Sequence, residues 1–294
     1  MREEIEIKSL IKNILPNKLL VWIGKEHRAL RIKSLRPAVR EQKLSPIYHQ
    51  LTEIVPDITH QYTSSDLDSE YLITKARAQH SFQIALVNEA LQSINSPPKD
   101  TITIVDIGDS AGTHLQYIKG IHKDRNIRCL SINIDGEAVR RIKEKGLEAI
   151  CARAEDLPSL SIEADIFLSF EMLEHLANPC GFLWSLSETK CKAFVVTVPY
   201  VNCSRVGLYH IRENQKRNVN PEDTHIFELS PEDWRLLFKH SGWAIQADKI
   251  YLQYSRKSPL RFWLKRYWKR YDFEGFYGAI LKPDKSWSSL YNGW

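Results

Sequence analysis

The stretch 101-TITIVDIGDSAG-112 decides how the rest of the chain is read. A run of β-branched and aliphatic residues closes on an acid, Asp106, and a glycine-bearing turn follows at once. That order predicts a buried strand, a tight loop and the start of a helix. Gly108 and Gly112 let a ligand approach the backbone closely, and a helix start offers unpaired N–H groups. Taken alone, the pattern reads equally well as a structural strand-to-helix turn.

The flanking sequence narrows the choice. The chain has 294 residues, enough for one large α/β domain with extensions or for two small domains. Hydrophobic residues are 43% and charged residues 26%, the balance of a chain with a core rather than a disordered one. The net charge of +5 is too mild to name a nucleic acid partner. Five cysteines, Cys129, Cys151, Cys180, Cys191 and Cys203, show no C-x-x-C spacing. This argues against a zinc–thiolate site and a disulfide framework, and suits a reducing cytoplasm. No segment approaches the ~20 apolar residues of a membrane span. The start, MREEIEIKSL, carries too many charges for a signal peptide.

Three domains are expected. Residues 1–70 form a helical, basic extension, with a short helix at 1–15 and a solvated basic run at 25–43. Residues 71–255 form the central domain, opened by a helix at 71–94. Residues 256–294 form a basic aromatic tail. In the central domain, strands are predicted at 102–107, 129–134, 148–151, 166–170, 193–198 and 245–252. Helices are predicted at 114–122, 137–145, 182–188 and 231–241. Such alternation means βαβ units and a mostly parallel sheet with helices on both faces. Ligands in these sheets sit beyond the C-terminal strand ends.

At those ends the chain places chemistry. The second strand leads to Asp135, where an acid can accept from both ribose hydroxyls or cap the next helix. The third leads to Glu155 and Asp156, able to accept from an exocyclic amine. The fourth leads to Glu171-x-x-Glu174-His175, and His225 follows later in a His-Ile-Phe context.

The ordered set VDIGDSAG, INID, ARAEDLP and FEMLEHL resembles class I S-adenosylmethionine-dependent methyltransferases over roughly residues 70–255. The resemblance implies a Rossmann-like, seven-stranded α/β fold. It assigns the loop of Asp106, Gly108, Ser110 and Gly112 to the methionine part of S-adenosylmethionine, Asp135 to the ribose and Asp156 to the adenine amine. Glu155 and Glu171 are expected beside the cofactor. Where the family has glycine this chain has Ser110, which narrows the loop. A dehydrogenase reading fails, since the G-x-G-x-x-G fingerprint is missing.

The E-x-x-E-H segment with a distant H-x-F resembles the O-methyltransferases of ubiquinone synthesis and those of small-RNA ribose. From them, Glu171, Glu174, His175 and His225 are candidate ligands of a divalent metal, Mg²⁺, Mn²⁺ or Zn²⁺. The metal-free alternative has His175 or His225 as base, with Glu174 beside it. His210 is a rival for the distant ligand.

The expected function is O-methylation of a small-molecule, lipid-linked or glycan hydroxyl. An RNA ribose methyltransferase and a non-catalytic cofactor binder are the alternatives. The loop at 201–222, with Arg205, Arg212, Lys216 and Arg217, is expected to cover substrate. In the tail, 256–271 holds seven basic residues and no acid. As a helix it lines up Leu260, Trp263, Leu264, Tyr267, Trp268 and Tyr271. That stripe suits either packing on the domain or an anionic membrane surface, which would make the protein peripheral at the inner face of the membrane.

Overall fold

A computed structural model describes residues 17–63, 65–94, 100–207, 211 and 224–291. The expected helix at 1–15, His210 and the bases Arg212, Lys216 and Arg217 lie outside the described residues.

Two helices lead in, α1 (Asn17–Glu41) and α2 (Ser45–Ile54), followed by the long α3 (Glu70–Ser93). Then strands and helices alternate: β1 (Ile102–Ile107), α4 (Thr113–Ile121), β2 (Ile127–Asn133), α5 (Gly136–Glu144), β3 (Glu148–Cys151), β4 (Ile166–Phe170), α6 (Pro179–Ser187) and β5 (Ala193–Pro199). Short 3₁₀ turns at Ala154–Leu160 and Leu173–His175 follow β3 and β4. A two-residue pair, β6 (Arg205–Val206) and β7 (Phe227–Glu228), precedes α7 (Pro231–His240). The chain continues through β8 (Trp243–Leu252), α8 (Arg261–Tyr271) and β9 (Gly275–Pro283).

Seven strands form one sheet in the order β3-β2-β1-β4-β5-β9-β8. The first five pair in parallel, and β9 runs antiparallel to both β5 and β8. This is the expected mostly parallel α/β sheet. The strand order reverses between β1 and β4, which opens a crevice at their C-terminal ends.

Alternate residues of each strand feed two cores. Ile104, Ile166 and Val195 face Leu51, Phe82, Leu86 and Leu115, from α2, α3 and α4. Val105, Phe167 and Phe194 face Phe182 and Leu183 of α6, and Trp234 and Phe238 of α7. Each such side chain contributes about 1.5–3 kcal/mol by leaving water. Arg77 of α3 is buried among them and donates to the carbonyls of Leu51, Val55 and Pro56 and to the Tyr117 hydroxyl. It thereby ties the C-terminal end of α2 and the two residues after it to α3 and α4.

The boundary expected after residue 255 does not match the sheet. β9 lies within the segment read as a tail, and it sits between β5 and β8 as an interior strand. Its first seven residues are buried on both faces, so the alternation that marks a half-exposed strand is absent. Gly275 and Gly278 further weaken the strand signal. The aromatic stripe of α8 is also divided. Leu264 and Trp268 pack with Leu35, Tyr71, Leu252 and Tyr254, and Trp268 Nε1 donates to Ser34 Oγ at 3.0 Å. Leu260, Phe262, Trp263 and Tyr271 stay exposed. Among the described residues no helix is long and apolar enough to cross a membrane.

Candidate active site

At the end of β1 the chain delivers Asp106 to the crevice and turns sharply. Gly108 has φ +92° and Gly112 φ +74°, left-handed backbone that disfavours other residues. A Cβ on Gly108 would come 3.3 Å from Met172 Cγ. Gly112 precedes the first turn of α4 and puts no side chain over it, so the leading amides of α4 stay open to a ligand. Ser110 is half-buried in this loop.

Asp106 and Asp109 are buried, and Asp106 Oδ2 and both carboxylate oxygens of Asp109 have no hydrogen-bond partner. His114 Nδ1 lies 3.6 Å from Asp106 Oδ2 and 3.5 Å from Asp109 Oδ1. Its Nε2 donates to Gln83 Oε1 at 2.9 Å, and Gln83 Nε2 donates to Thr197 Oγ1 at 3.1 Å. Burial, and then the neighbouring Asp109, push the Asp106 carboxyl up to about 8. Burial works against a charged His114, but Asp109 and Asp106 outweigh it and raise the imidazole. Burial holds His80, edge-on to His114, well below the ordinary histidine value.

Asp135 follows β2, and its Oδ1 accepts from Glu137 N at 2.9 Å as the cap of α5. Glu155 and Asp156 follow β3 on the 3₁₀ turn and are exposed.

On the other side, β4 ends at Phe170 and Glu171 takes a left-handed φ of +54°. A non-glycine residue there costs on the order of 1 kcal/mol, so the surroundings must hold it. The Glu171 amide donates to Thr197 O at 2.9 Å. Its carboxyl is pushed up to about 8 by burial, offset in part by the Thr197 hydroxyl and Lys75. Glu174 is fully buried with both carboxylate oxygens unpartnered. Burial, then Glu171, drive its carboxyl well above the usual range.

His225 arrives from a remote segment. Ile226 N donates to Glu174 O at 2.7 Å and fastens it in place. The His175 and His225 rings then meet edge-on, centroids 4.7 Å apart at 85°. Ligand atoms of Glu174, His175 and His225 all lie within 4.8 Å of one another. Glu171, expected as a fourth ligand, is not in that group; its carboxyl faces Thr197, Lys75 and His114 instead.

Glu228 and Phe273, to which sequence reasoning gave no role, and Arg205, expected only in a loop covering substrate, set the orientation of His225. Its Nδ1 lies 3.1 Å from Glu228 Oε1, Arg205 binds the same carboxylate, and the imidazole stacks on Phe273 at 5.3 Å and 13°. Burial alone would raise Glu228, but the bonds from His225 and Arg205 prevail and lower it. A charged carboxylate only accepts, so Nδ1 carries the proton in this bond. An acid three residues after a candidate histidine is a signal that could have found Glu228. Asp109, inside the glycine turn, was equally visible. Phe273 carried no local signal.

Two features fit S-adenosylmethionine, a cation with an adenosine and an amino acid end. Buried carboxylate oxygens without partners are costly unless a positive group completes them, and the open start of α4 suits the ligand's carboxylate. Residues 105–187, from β1 to the end of α6, match the family model described as a methyltransferase domain. A putative sarcosine dimethylglycine methyltransferase from Galdieria sulphuraria shares 12% identity over 74% of this chain and 88% of its own, with a TM-score of 0.52. The cyclase SpnF shares 13% over 84% of this chain and 97% of its own, with a TM-score of 0.51. Both show the fold. No curated protein matches the sequence. The chain thus carries a segment that matches a methyltransferase domain, on the seven-stranded, mostly parallel sheet of the Rossmann-like class I methyltransferase fold.

Proposed function

We propose that the protein methylates a hydroxyl of a small-molecule, lipid-linked or glycan acceptor, with His225 as the base. One observation carries this reading: a histidine locked by Glu228 and Phe273 stands beside a second histidine and a buried glutamate, at the end of the strand next to β1. An amine is already nucleophilic when neutral, whereas a hydroxyl must lose its proton as it attacks, so a placed base favours oxygen.

In this reading Asp106, Asp109 and Glu171 hold the positive end of the cofactor, Gly108 and Gly112 admit it to the backbone, and Ser110 narrows the loop around it. Asp135 holds the ribose with the carboxylate that also caps α5, and Glu155 and Asp156 face the adenine. Bound there, S-adenosylmethionine supplies an electrophilic methyl group on a positively charged sulfur. His225 Nε2 takes the acceptor's proton, the Glu228 carboxylate steadies the imidazolium that results, and His175 and Glu174 orient the hydroxyl.

A metal-assisted variant has its own support. One carboxylate and two imidazoles within 4.8 Å are donors that suit Zn²⁺, Mn²⁺ or Mg²⁺, and both Glu174 oxygens lack a partner. A metal on Glu174, His175 and His225 would lower the pKa of a hydroxyl bound to it. The free cysteines suit a reducing cytoplasm as the place of action.

The test begins with calorimetric titration of S-adenosylmethionine. Transfer of a labelled methyl group to extracts of hydroxylated lipids, glycans and small metabolites follows, with and without EDTA. Transfer to oxygen that survives EDTA supports His225 acting alone, and loss restored by one added metal supports the metal variant. Product labelled only on nitrogen or carbon overturns the reading.

A further inference from the structure

We propose that the outward face of α8, with the cleft at its base, is a docking surface for an anionic lipid bilayer. The helix is firmly held from within. Leu264 and Trp268 are buried, and the buried Glu274 lies 3.8 Å from Lys265 and 3.4 Å from Lys269. What it turns outward is therefore a fixed surface, not a frayed end.

That surface is apolar at its centre and basic around it. Leu260 is 56% exposed, Phe262 71% and Trp263 69%. Helical spacing puts Arg266 on the side of Phe262, four residues on, and Arg261 directly before the two rings. Long basic side chains beside aromatic rings can reach headgroup phosphates while the rings enter the acyl boundary. The Phe262 and Trp263 rings stand at 86° to each other, with centroids 6.5 Å apart. They form a wedge, not the parallel plates on which successive nucleic acid bases stack.

The cleft supplies a second observation. It measures about 260 Å³ and is lined by Lys33, Lys257, Ser258 and Leu264 among others. Two ammonium groups and a hydroxyl suit a phosphate headgroup. The nearby acid Glu41 is already engaged, since it accepts from Ser255 Oγ and from the Arg256 and Lys257 amides at 3.2 Å.

The surface also leads to the site. After α8 the chain runs straight into Asp272, which pairs with Lys75, and Phe273, which stacks on His225. A bilayer on α8 would lie against the element that next touches the candidate base, which suits a lipid-linked acceptor. This last step rests on the proposed function; the bilayer contact does not.

The full chain is sedimented with phosphatidylcholine vesicles, with and without phosphatidylglycerol, at low and high salt. Binding is expected only with phosphatidylglycerol and is weakened by salt. Phe262→Ser with Trp263→Ser should lower partitioning by roughly tenfold or more, from the lost apolar contact. Arg261→Glu with Arg266→Glu should do the same through charge, and both pairs should keep the melting temperature and cofactor affinity of the parent. The proposal is overturned if the parent ignores anionic vesicles at low salt, or if both double variants bind them as well as the parent. Capture of single-stranded RNA in place of vesicles also overturns it. Failure of the parent to bind S-adenosylmethionine would sink the methyltransferase reading and leave the vesicle result standing.

Discussion

The two sides of the crevice are built on opposite electrostatic plans. On the β1 side, Asp106 and Asp109 are buried, their carboxylate oxygens lack hydrogen-bond partners, and His114 is the charged neighbour they share. On the side of His175 and His225, Glu228 is held by both Arg205 and His225 and stays in its charged form. The first sets two buried acids against one shared imidazole. The second gives one carboxylate two basic partners. The difference teaches that burial raises a carboxyl beside another acid, as at Asp106, and that basic partners overcome burial, as at Glu228.

The sharpest way to break this contrast is His225→Ala. Turnover should fall about 10²–10⁴-fold while calorimetry shows unchanged cofactor affinity. Equal loss of both would mean that the two sides are one site. Asp106→Asn should act in reverse. Cofactor affinity should fall roughly tenfold to hundredfold, because a charged partner is lost. The ligand-free protein should melt higher at pH 8, because a buried charge is removed. A variant that binds normally would remove Asp106 from the cofactor's cradle. Glu228→Gln should lower kcat about tenfold with little change in KM, the usual scale for a group that orients another. An unchanged kcat would show that Phe273 alone suffices to hold His225.

The smallest effect is one of pH. The folded Asp106 titrates at about 8, above its ordinary value, so the folded state binds the extra proton. The contribution is full below pH 4 and is lost as pH rises toward 8, at no more than about 1.4 kcal/mol per pH unit. The raised His114 has the same sign. Melting temperatures of the ligand-free protein should therefore drop between pH 6 and 8, and saturating S-adenosylmethionine should flatten that drop. A flat profile without ligand would mean that the acids are satisfied in solution.

How much of this was legible follows the same division. The strands and the acids at their ends lie in short, local patterns, so β1, β3 and β4 could be bounded to the residue. Asp106, Gly108 and Gly112 could be read in the same way. The other side of the crevice joins Glu174 to a segment some fifty residues away and to Phe273 later still, and no periodicity announces such a meeting. Of the four residues expected to share a metal, Glu174, His175 and His225 converge, and the left-handed turn at Glu171 sends its carboxyl elsewhere. The tail was misread because its basic composition masked the buried strand β9, and because half of the α8 stripe is core.

The place of β9 in the sheet carries a consequence for synthesis. A ribosome that has released only the segment up to α8 holds a nascent chain whose β5 has an open edge and whose β8 has no neighbour, since β9 joins them. Closure of that gap brings together partners some eighty residues apart, a slow event that leaves a sticky intermediate exposed to aggregation. Phe273 enters with the same stroke, so a newborn enzyme acquires its aligned imidazole only as the last sheet strand zips home.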